Sequence, residues 1–107
     1  MEQKMVRAEA ARLAKQLGIA DIRPDWRGCD AVWDVLEEMA SEGATVVVKI
    51  DGQRNGPDDN GRYTVLVSGG PLGEDFFRRD TRVLEEGLAE AIVHYAEKCW
   101  KGDSRGT

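Results

Sequence analysis

The most regular pattern of hydrophobic and polar positions lies in the last third of the chain. Over residues 80–101, apolar side chains recur at steps of three and four and would form one stripe on a helix: Leu84, Leu88, Ala91, Ile92, Tyr95 and Cys99. Asp80 or Thr81 is suited to cap this helix at its start. Gly87 costs a helix about 1 kcal/mol relative to alanine, so close packing or simple tolerance is expected there. The pattern predicts a final helix around which the rest of the chain is organised.

A narrower stripe near the N-terminus predicts a first helix over residues 3–17. Its apolar positions are mostly small: Val6, Ala10, Leu13, Ala14 and Leu17, followed by Gly18 as a stop. A face of this kind contributes little apolar area but permits close approach. We interpret it as a helix on the domain surface, peripheral to the core, with a contact seam for another chain as the alternative.

A wider apolar face follows Pro24 and predicts a second helix that begins with Asp25 as N-cap and ends at Gly43. Its main seam and the positions beside it are Trp26, Cys29, Trp33, Leu36 and Ala40, with Val32, Val35 and Met39. Trp33 is predicted to lie in the core. Trp26 is interpreted as a lid on the core, and an exposed contact residue is the alternative.

Two β-branched runs, residues 44–50 and 62–68, predict the strands of a hairpin. Residues 76–79 alternate and predict a short third strand at the sheet edge. Each hairpin strand has one apolar and one mixed face, so the second side of the sheet is only partly dry and could be covered by the first helix or by a second copy of the chain. The expected fold class is α+β, a small antiparallel sheet packed by helices in the order α-α-β-β-β-α, forming one domain over residues 1–101 with a disordered tail over 102–107.

Composition narrows the functional classes. The chain has 107 residues, with 41% hydrophobic and 33% charged positions, which is typical of one globular domain. A net charge of −5 argues against direct binding to nucleic acid or to an anionic membrane surface. Cys29 and Cys99 lack the spacing of a disulfide scaffold, and no apolar run is long enough to span a bilayer. These features predict a cytoplasmic protein.

Catalytic and metal-binding signatures are missing from the sequence. One histidine, His94, and two distant cysteines do not form a zinc-binding pattern, and no nucleophile elbow or phosphate-loop motif occurs. We therefore predict a protein that is not an enzyme, with no cofactor, no metal and no catalytic residue.

Two glycine-rich loops carry the remaining candidates. Residues 51–61 are almost all turn formers, which suits either a disordered, solvated loop or a contact loop. The second loop precedes the last helix, and with nearby arginines it has the parts of an anion site: Gly69, Gly70, Arg78, Arg79 and Arg82. Ordinary surface ion pairs between these arginines and nearby carboxylates are the alternative.

Two short segments resemble a known family. The first segment contains Ala31, Val32, Trp33 and Val35, and the second contains Thr81, Leu84 and Leu88 with Gly87 in place of an alanine. These residues are similar to the packing motifs of small phage-encoded α-β-α sandwich domains. The resemblance spans residues 26–100. It implies a phage or prophage origin, and it implies no common activity and no catalytic residues.

These observations lead to two functional hypotheses. The first is a non-enzymatic phage accessory protein that acts in the cytoplasm of a bacterial host, binds a host protein and inhibits a defence complex, with homo-oligomerisation also open. Its partner-binding candidates are Trp26, Glu37, Glu38, Arg54, Asn55, Asp58 and Asp59. The alternative is a protein that binds or sequesters a nucleotide or another phosphate-bearing ligand through the anion-site residues.

Overall fold

The computed structural model describes residues 2–54 and 56–100, with side chains from residue 6 onward. The helices are α1 (Glu2–Gln16), α2 (Gly28–Ala31), α3 (Trp33–Ser41) and α4 (Leu84–Tyr95), which continues as a π-helical turn (Ala96–Trp100). The strands are β1 (Ala44–Ile50), β2 (Tyr63–Gly69) and β3 (Phe76–Thr81), with a 3₁₀ turn (Gly70–Leu72) between β2 and β3. The predicted α+β class is confirmed. The predicted tail over residues 102–107 lies outside the described residues.

The sheet is antiparallel with strand order β1-β2-β3, so the predicted hairpin and third strand are both confirmed. Val46 pairs with Val67, which pairs with Phe77, and all three side chains belong to the face that packs against the helices. β3 is longer than expected, because Asp80 and Thr81 continue the ladder instead of capping the last helix. The N-cap of α4 is Val83, whose N–H donates to the Thr81 hydroxyl at 3.2 Å.

Helix α4 is the centre of the fold, as its stripe predicts. It packs against β2 and β3 on one side and against α1 on the other. Leu88, Ile92 and Tyr95 are at most 1% exposed. Gly87 permits this close approach: a Cβ there would lie 3.0 Å from Val65 Cγ2 and 3.1 Å from Thr81 Cγ2. Of the two alternatives for Gly87, close packing is therefore the one observed.

The narrow apolar face of helix α1 packs into the core. Ala10, Leu13 and Ala14 are buried at 3% exposure or less, and the small side chains bring α1 close to α4. The other face of α1 lies at the surface, where Arg12 and Lys15 are exposed. The seam is occupied within the chain, and α1 does not cover the second side of the sheet.

The connector after α1 is held against it by Trp26. The Trp26 indole N–H donates to the Arg7 carbonyl at 3.0 Å, and Arg7 Nε donates back to the Trp26 carbonyl at 3.1 Å. Trp26 is 4% exposed, so the interpretation as a lid on the core is confirmed.

The second helix differs from its prediction, because the chain breaks it at Val32. Val32 adopts φ −111° and ψ 14°, and the residues before and after it form α2 and α3. Asp25 does not cap a helix; its carboxylate pairs with Arg23 at 3.2 Å. The break turns Val32, Val35 and Met39 into the core, and Trp33, predicted to be buried, is 53% exposed.

Candidate functional site

An apolar groove of about 300 Å³ lies between α3 and β1. It follows the seam predicted for the second helix, which the break at Val32 turns away from the core. The residues that line it are Cys29, Trp33, Leu36, Glu37, Ala40, Val46 and Val48. All but Glu37 are apolar or aromatic, so the groove offers mainly dispersion contacts and one carboxylate.

Two large apolar side chains mark the surface near the groove. Trp33, which lines it, is 53% exposed, and Ile50 at the end of β1 is 64% exposed. β1 is also an edge strand, and within the described residues no strand pairs with its outer side. Unpaired backbone groups of an edge strand thus lie beside an apolar depression, a combination suited to receiving a chain segment.

The electrostatic surroundings of the groove are acidic. Helix α3 carries Asp34, Glu37 and Glu38, all exposed, and contains no lysine or arginine. Burial raises the pKa of the Cys29 thiol, and the nearby Glu85 carboxylate raises it further. Glu85 itself accepts the Gly28 N–H at 2.7 Å, which fixes the start of α2. The groove therefore favours a cationic partner and keeps its thiol protonated.

The opposite face of the sheet has no covering element among the described residues. Val47 is 40% and Phe76 57% exposed, and Leu66 lies beside Val47 in the register. This apolar end gives way, toward the 51–62 loop, to charged side chains: Lys49, Arg54, Arg78 and Asp80. We call this surface the open face.

Thr64 organises the charged end of the open face. Its hydroxyl accepts from Arg54 Nη2 at 2.7 Å and donates to Asp80 Oδ1 at 2.6 Å. The Thr64 hydrogen bond lowers the pKa of Asp80, and Arg78 and Arg54 add to this against the opposing effect of burial. Through its hydrogen bond to Thr64, Arg54 lies over the strand, and Thr64 is buried.

The predicted partner-binding residues occupy three separate places. Trp26 is buried, while Glu37 and Glu38 lie on α3 at or near the groove. Arg54, Asp58 and Asp59 belong to the 51–62 loop at the open face; Asn55 lies outside the described residues.

The loop is anchored through Arg82, a contact that the sequence pattern did not indicate. Arg82 Nη2 donates to the carbonyls of Gly56, Pro57 and Asp59 at 3.3, 3.1 and 2.7 Å. Gly61 adds a backbone contact, because its φ is +114° and a Cβ there would lie 2.2 Å from the Thr81 carbonyl carbon. The loop is thus tied to the segment that joins β3 to α4.

Two arginines of the predicted anion site pair with carboxylates on opposite faces of the sheet. Arg78 pairs with Asp80 at 3.5 Å on the open face. Arg79, on the helix-facing side, pairs with Glu90 at 2.8 Å and Glu86 at 3.3 Å.

The glycines of that site lie elsewhere. Gly69 pairs with Ala44 at the far end of β2, and a Cβ on Gly70 would lie 2.7 Å from the Ala44 nitrogen. Arg82 lines a polar pocket of about 290 Å³ together with Arg54, Gly61 and Arg62.

A polar cluster around the buried Tyr95 closes the other end of α4. The Tyr95 hydroxyl donates to Glu42 Oε1 at 2.7 Å, and the Trp100 indole donates to Glu42 Oε2 at 2.9 Å. Burial raises the pKa of Tyr95 far above its usual value, and the Glu42 carboxylate raises it further. We assign this cluster a structural role, because it ties the end of α4 to the end of α3.

His94 lies on α4 beside the core stripe. Its Nε2 is 3.1 Å from Asp75 Oδ2, and its ring lies 5.5 Å from that of Phe77. Burial opposes the ionisation of Asp75, but the Phe76 N–H, His94 and Lys98 outweigh it and lower the pKa of that carboxyl.

Comparisons with protein-family models, with curated proteins and with solved structures find no match for this chain. Within the described residues, no three histidine, cysteine or carboxylate side chains are grouped as metal ligands. In the same part of the chain, no helix combines the length and apolar character needed to cross a bilayer. The geometry of the groove and the two sheet faces is therefore the basis for a functional proposal.

Proposed function

We propose that this protein is a non-enzymatic binding module that docks a segment of a partner protein in the groove between α3 and β1. The observation that carries the proposal is the groove itself, an apolar depression of about 300 Å³ beside an edge strand, with Trp33 left 53% exposed. Tryptophan is the side chain most enriched among the residues that dominate binding energy at protein interfaces.

The proposed partner segment is extended and pairs with the outer edge of β1. Side chains of a strand alternate between two faces, so every second residue of the segment would point toward the groove floor formed by Val46 and Val48. Backbone hydrogen bonds to β1 would supply affinity, while the apolar floor and Leu36 would select aliphatic or aromatic residues at alternate positions.

The proposed segment also carries basic residues. Asp34, Glu37 and Glu38 give α3 three carboxylates with no lysine or arginine. Lysine or arginine at the solvent-facing positions of the segment would complement this charge, which contributes mainly to the association rate and to partner choice.

The biological setting is the finer part of the proposal. The resemblance to phage-encoded α-β-α sandwich domains supports a phage accessory protein that acts in the cytoplasm of a bacterial host. There it would inhibit a defence complex by binding such a segment of one of its proteins in the groove. The predicted nucleotide-binding alternative loses support at Arg78 and Arg79, because they pair with separate carboxylates on opposite faces of the sheet.

The test compares two aromatic residues of similar exposure. Tagged wild type, Trp33→Ala and Phe76→Ala would be used to capture partners from host lysate, since Phe76 is 57% exposed on the open face. We expect Trp33→Ala alone to lose the captured protein. Loss with Phe76→Ala and retention with Trp33→Ala would move the site to the open face and refute the groove.

Cys29 supplies a second readout, because its thiol lines the groove. Once a partner is captured, its binding should slow the alkylation of Cys29 by iodoacetamide, monitored by mass spectrometry. Cys99, 7% exposed and away from the groove lining, serves as the internal reference. An unchanged Cys29 rate in a saturated complex would contradict docking in the groove.

A further inference from the structure

The structure brings three arginines together at the loop end of the open face. Arg54, Arg62 and Arg82 line, with Gly61, a polar pocket of about 290 Å³. The pocket lies on the other side of the sheet from the groove, so a ligand bound in it would be independent of the proposed docking function.

The strand register and the anchoring of the loop bring the three arginines together. Tyr63 pairs with Thr81, so the next residues outward, Arg62 and Arg82, occupy neighbouring positions across the two chain segments. Gly61 allows this approach, because only a glycine fits against the Thr81 carbonyl at φ +114°. Arg54 reaches the same region from the loop through its 2.7 Å hydrogen bond to Thr64.

The charges around the pocket are unevenly distributed. Asp51 and Asp80 lie near Arg54 at 3.8 and 3.7 Å, but they also pair with Lys49 and Arg78. Asp58 and Asp59 belong to the loop, where the Asp59 carboxylate accepts the Gly56 N–H at 3.0 Å. None of the described carboxylates lines the pocket, and the charged groups that the described residues contribute to its lining are guanidinium groups.

Arg82 is held in place by uncharged partners. Its Nη2 donates to three main-chain carbonyls, and no carboxylate within the described residues forms an ion pair with it. A guanidinium has five N–H donors in a planar fork, so a single nitrogen can be committed to the loop while others remain directed elsewhere. Its positive charge is therefore pre-positioned at the pocket.

We propose that this pocket binds a phosphate group, either as inorganic phosphate or as the terminal group of a small phosphate monoester. Such a group carries between one and a half and two negative charges at about pH 7 and offers three or more acceptor oxygens, which match guanidinium forks. The volume lies at the lower end of small-molecule sites, so the phosphate group rather than a whole nucleotide fills the pocket.

The experiment is a titration of the isotope-labelled protein with sodium phosphate, followed by NMR at constant ionic strength with chloride as the replaced anion. We expect saturable shifts at the amides of Gly61 and Arg62 and at the arginine side-chain signals. Loss of one charge-assisted contact should weaken binding by about tenfold in Arg62→Gln. Arg23→Gln removes the same charge at a site whose side chain is 85% exposed, and it should bind as the wild type does.

Glycerol phosphate and adenosine monophosphate, titrated in the same way, distinguish the two sources of the group. Tighter binding of either ester than of inorganic phosphate assigns the pocket to monoesters, and weaker binding assigns it to free phosphate. Shifts that stay linear and spread over surface cations, or equal affinity in wild type and Arg62→Gln, would overturn the proposal. The chemical-shift map of unbound Arg62→Gln verifies that the loop keeps its fold.

Discussion

Replacing Gly87 by alanine tests the central packing of the fold, because two effects of opposite sign compete there. An alanine in a helix interior is favoured over glycine by about 1 kcal/mol. The added methyl would lie 3.0 Å from Val65 Cγ2 and 3.1 Å from Thr81 Cγ2, and both neighbours are buried in strands. Overpacking of a core costs typically about 1–3 kcal/mol. We expect the crowding to prevail and the free energy of unfolding to fall by about 1 kcal/mol, which lowers Tm by about 4–8 °C.

A double-mutant cycle separates crowding from other causes. Val65→Ala removes Cγ2 and alone should cost about 2 kcal/mol, from two methyl groups at about 0.8 kcal/mol each and a small cavity. In Gly87→Ala/Val65→Ala the new methyl enters the vacated space, so the pair should be less destabilised than the sum by about 1 kcal/mol. Urea denaturation followed by circular dichroism measures all four proteins. Gly52→Ala is the control, because no atom lies within 4 Å of its added Cβ. A more stable Gly87→Ala, or strict additivity with Val65→Ala, would refute the reasoning.

Three further variants test other contacts. Gly61→Ala should lose at least about 2 kcal/mol of unfolding free energy in urea, since its backbone is left-handed and the methyl meets the Thr81 carbonyl; near-wild-type stability would contradict the loop anchoring. Tyr95→Phe should lose about 1–2 kcal/mol. Because folding raises the Tyr95 pKa, the stability from its protonated form is complete below about pH 10 and falls above it, so the variant should have a shallower alkaline decline in thermal melts. Asp80→Asn should instead reduce the loss of stability at acid pH. Folding lowers the pKa of Asp80, so the stability from its ionised form is present above about pH 4 and is lost as the pH falls further. An unchanged dependence of stability on acid pH in the variant would count against the Thr64 contact.

The sequence predicts those parts of the fold in which the buried positions recur at a regular spacing. The stripe through Leu88, Ile92 and Tyr95 specifies one helix face directly, and alternation in the strands specifies the sheet. Periodicity does not predict the break at Val32, because no proline lies between residues 26 and 40; the signal in this segment is Gly28, which adopts φ +78°. The break at Val32 decides whether Trp33 is buried, and periodicity alone does not contain the break.

The candidate sites depend on contacts between distant segments. The groove exists because α3 lies across β1, and the arginine pocket exists because Tyr63 is in register with Thr81. The anion hypothesis groups Arg78 with Arg79 because they are adjacent in sequence, whereas adjacent residues of a strand point to opposite faces. The pairing register groups Arg62 with Arg82 instead, and this register is not contained in the local pattern.

Helix α3 concentrates one sign of charge on the surface beside the groove. It carries Asp34, Glu37 and Glu38 and no lysine or arginine, whereas the open face mixes Lys49, Arg54 and Arg78 with Asp80. A patch of one sign produces a torque on the molecule in the field of a charged neighbour and turns it before contact. A basic surface would therefore meet the α3 side first, the side on which Trp33 stands, and added salt would remove that bias without altering any contact in the final complex.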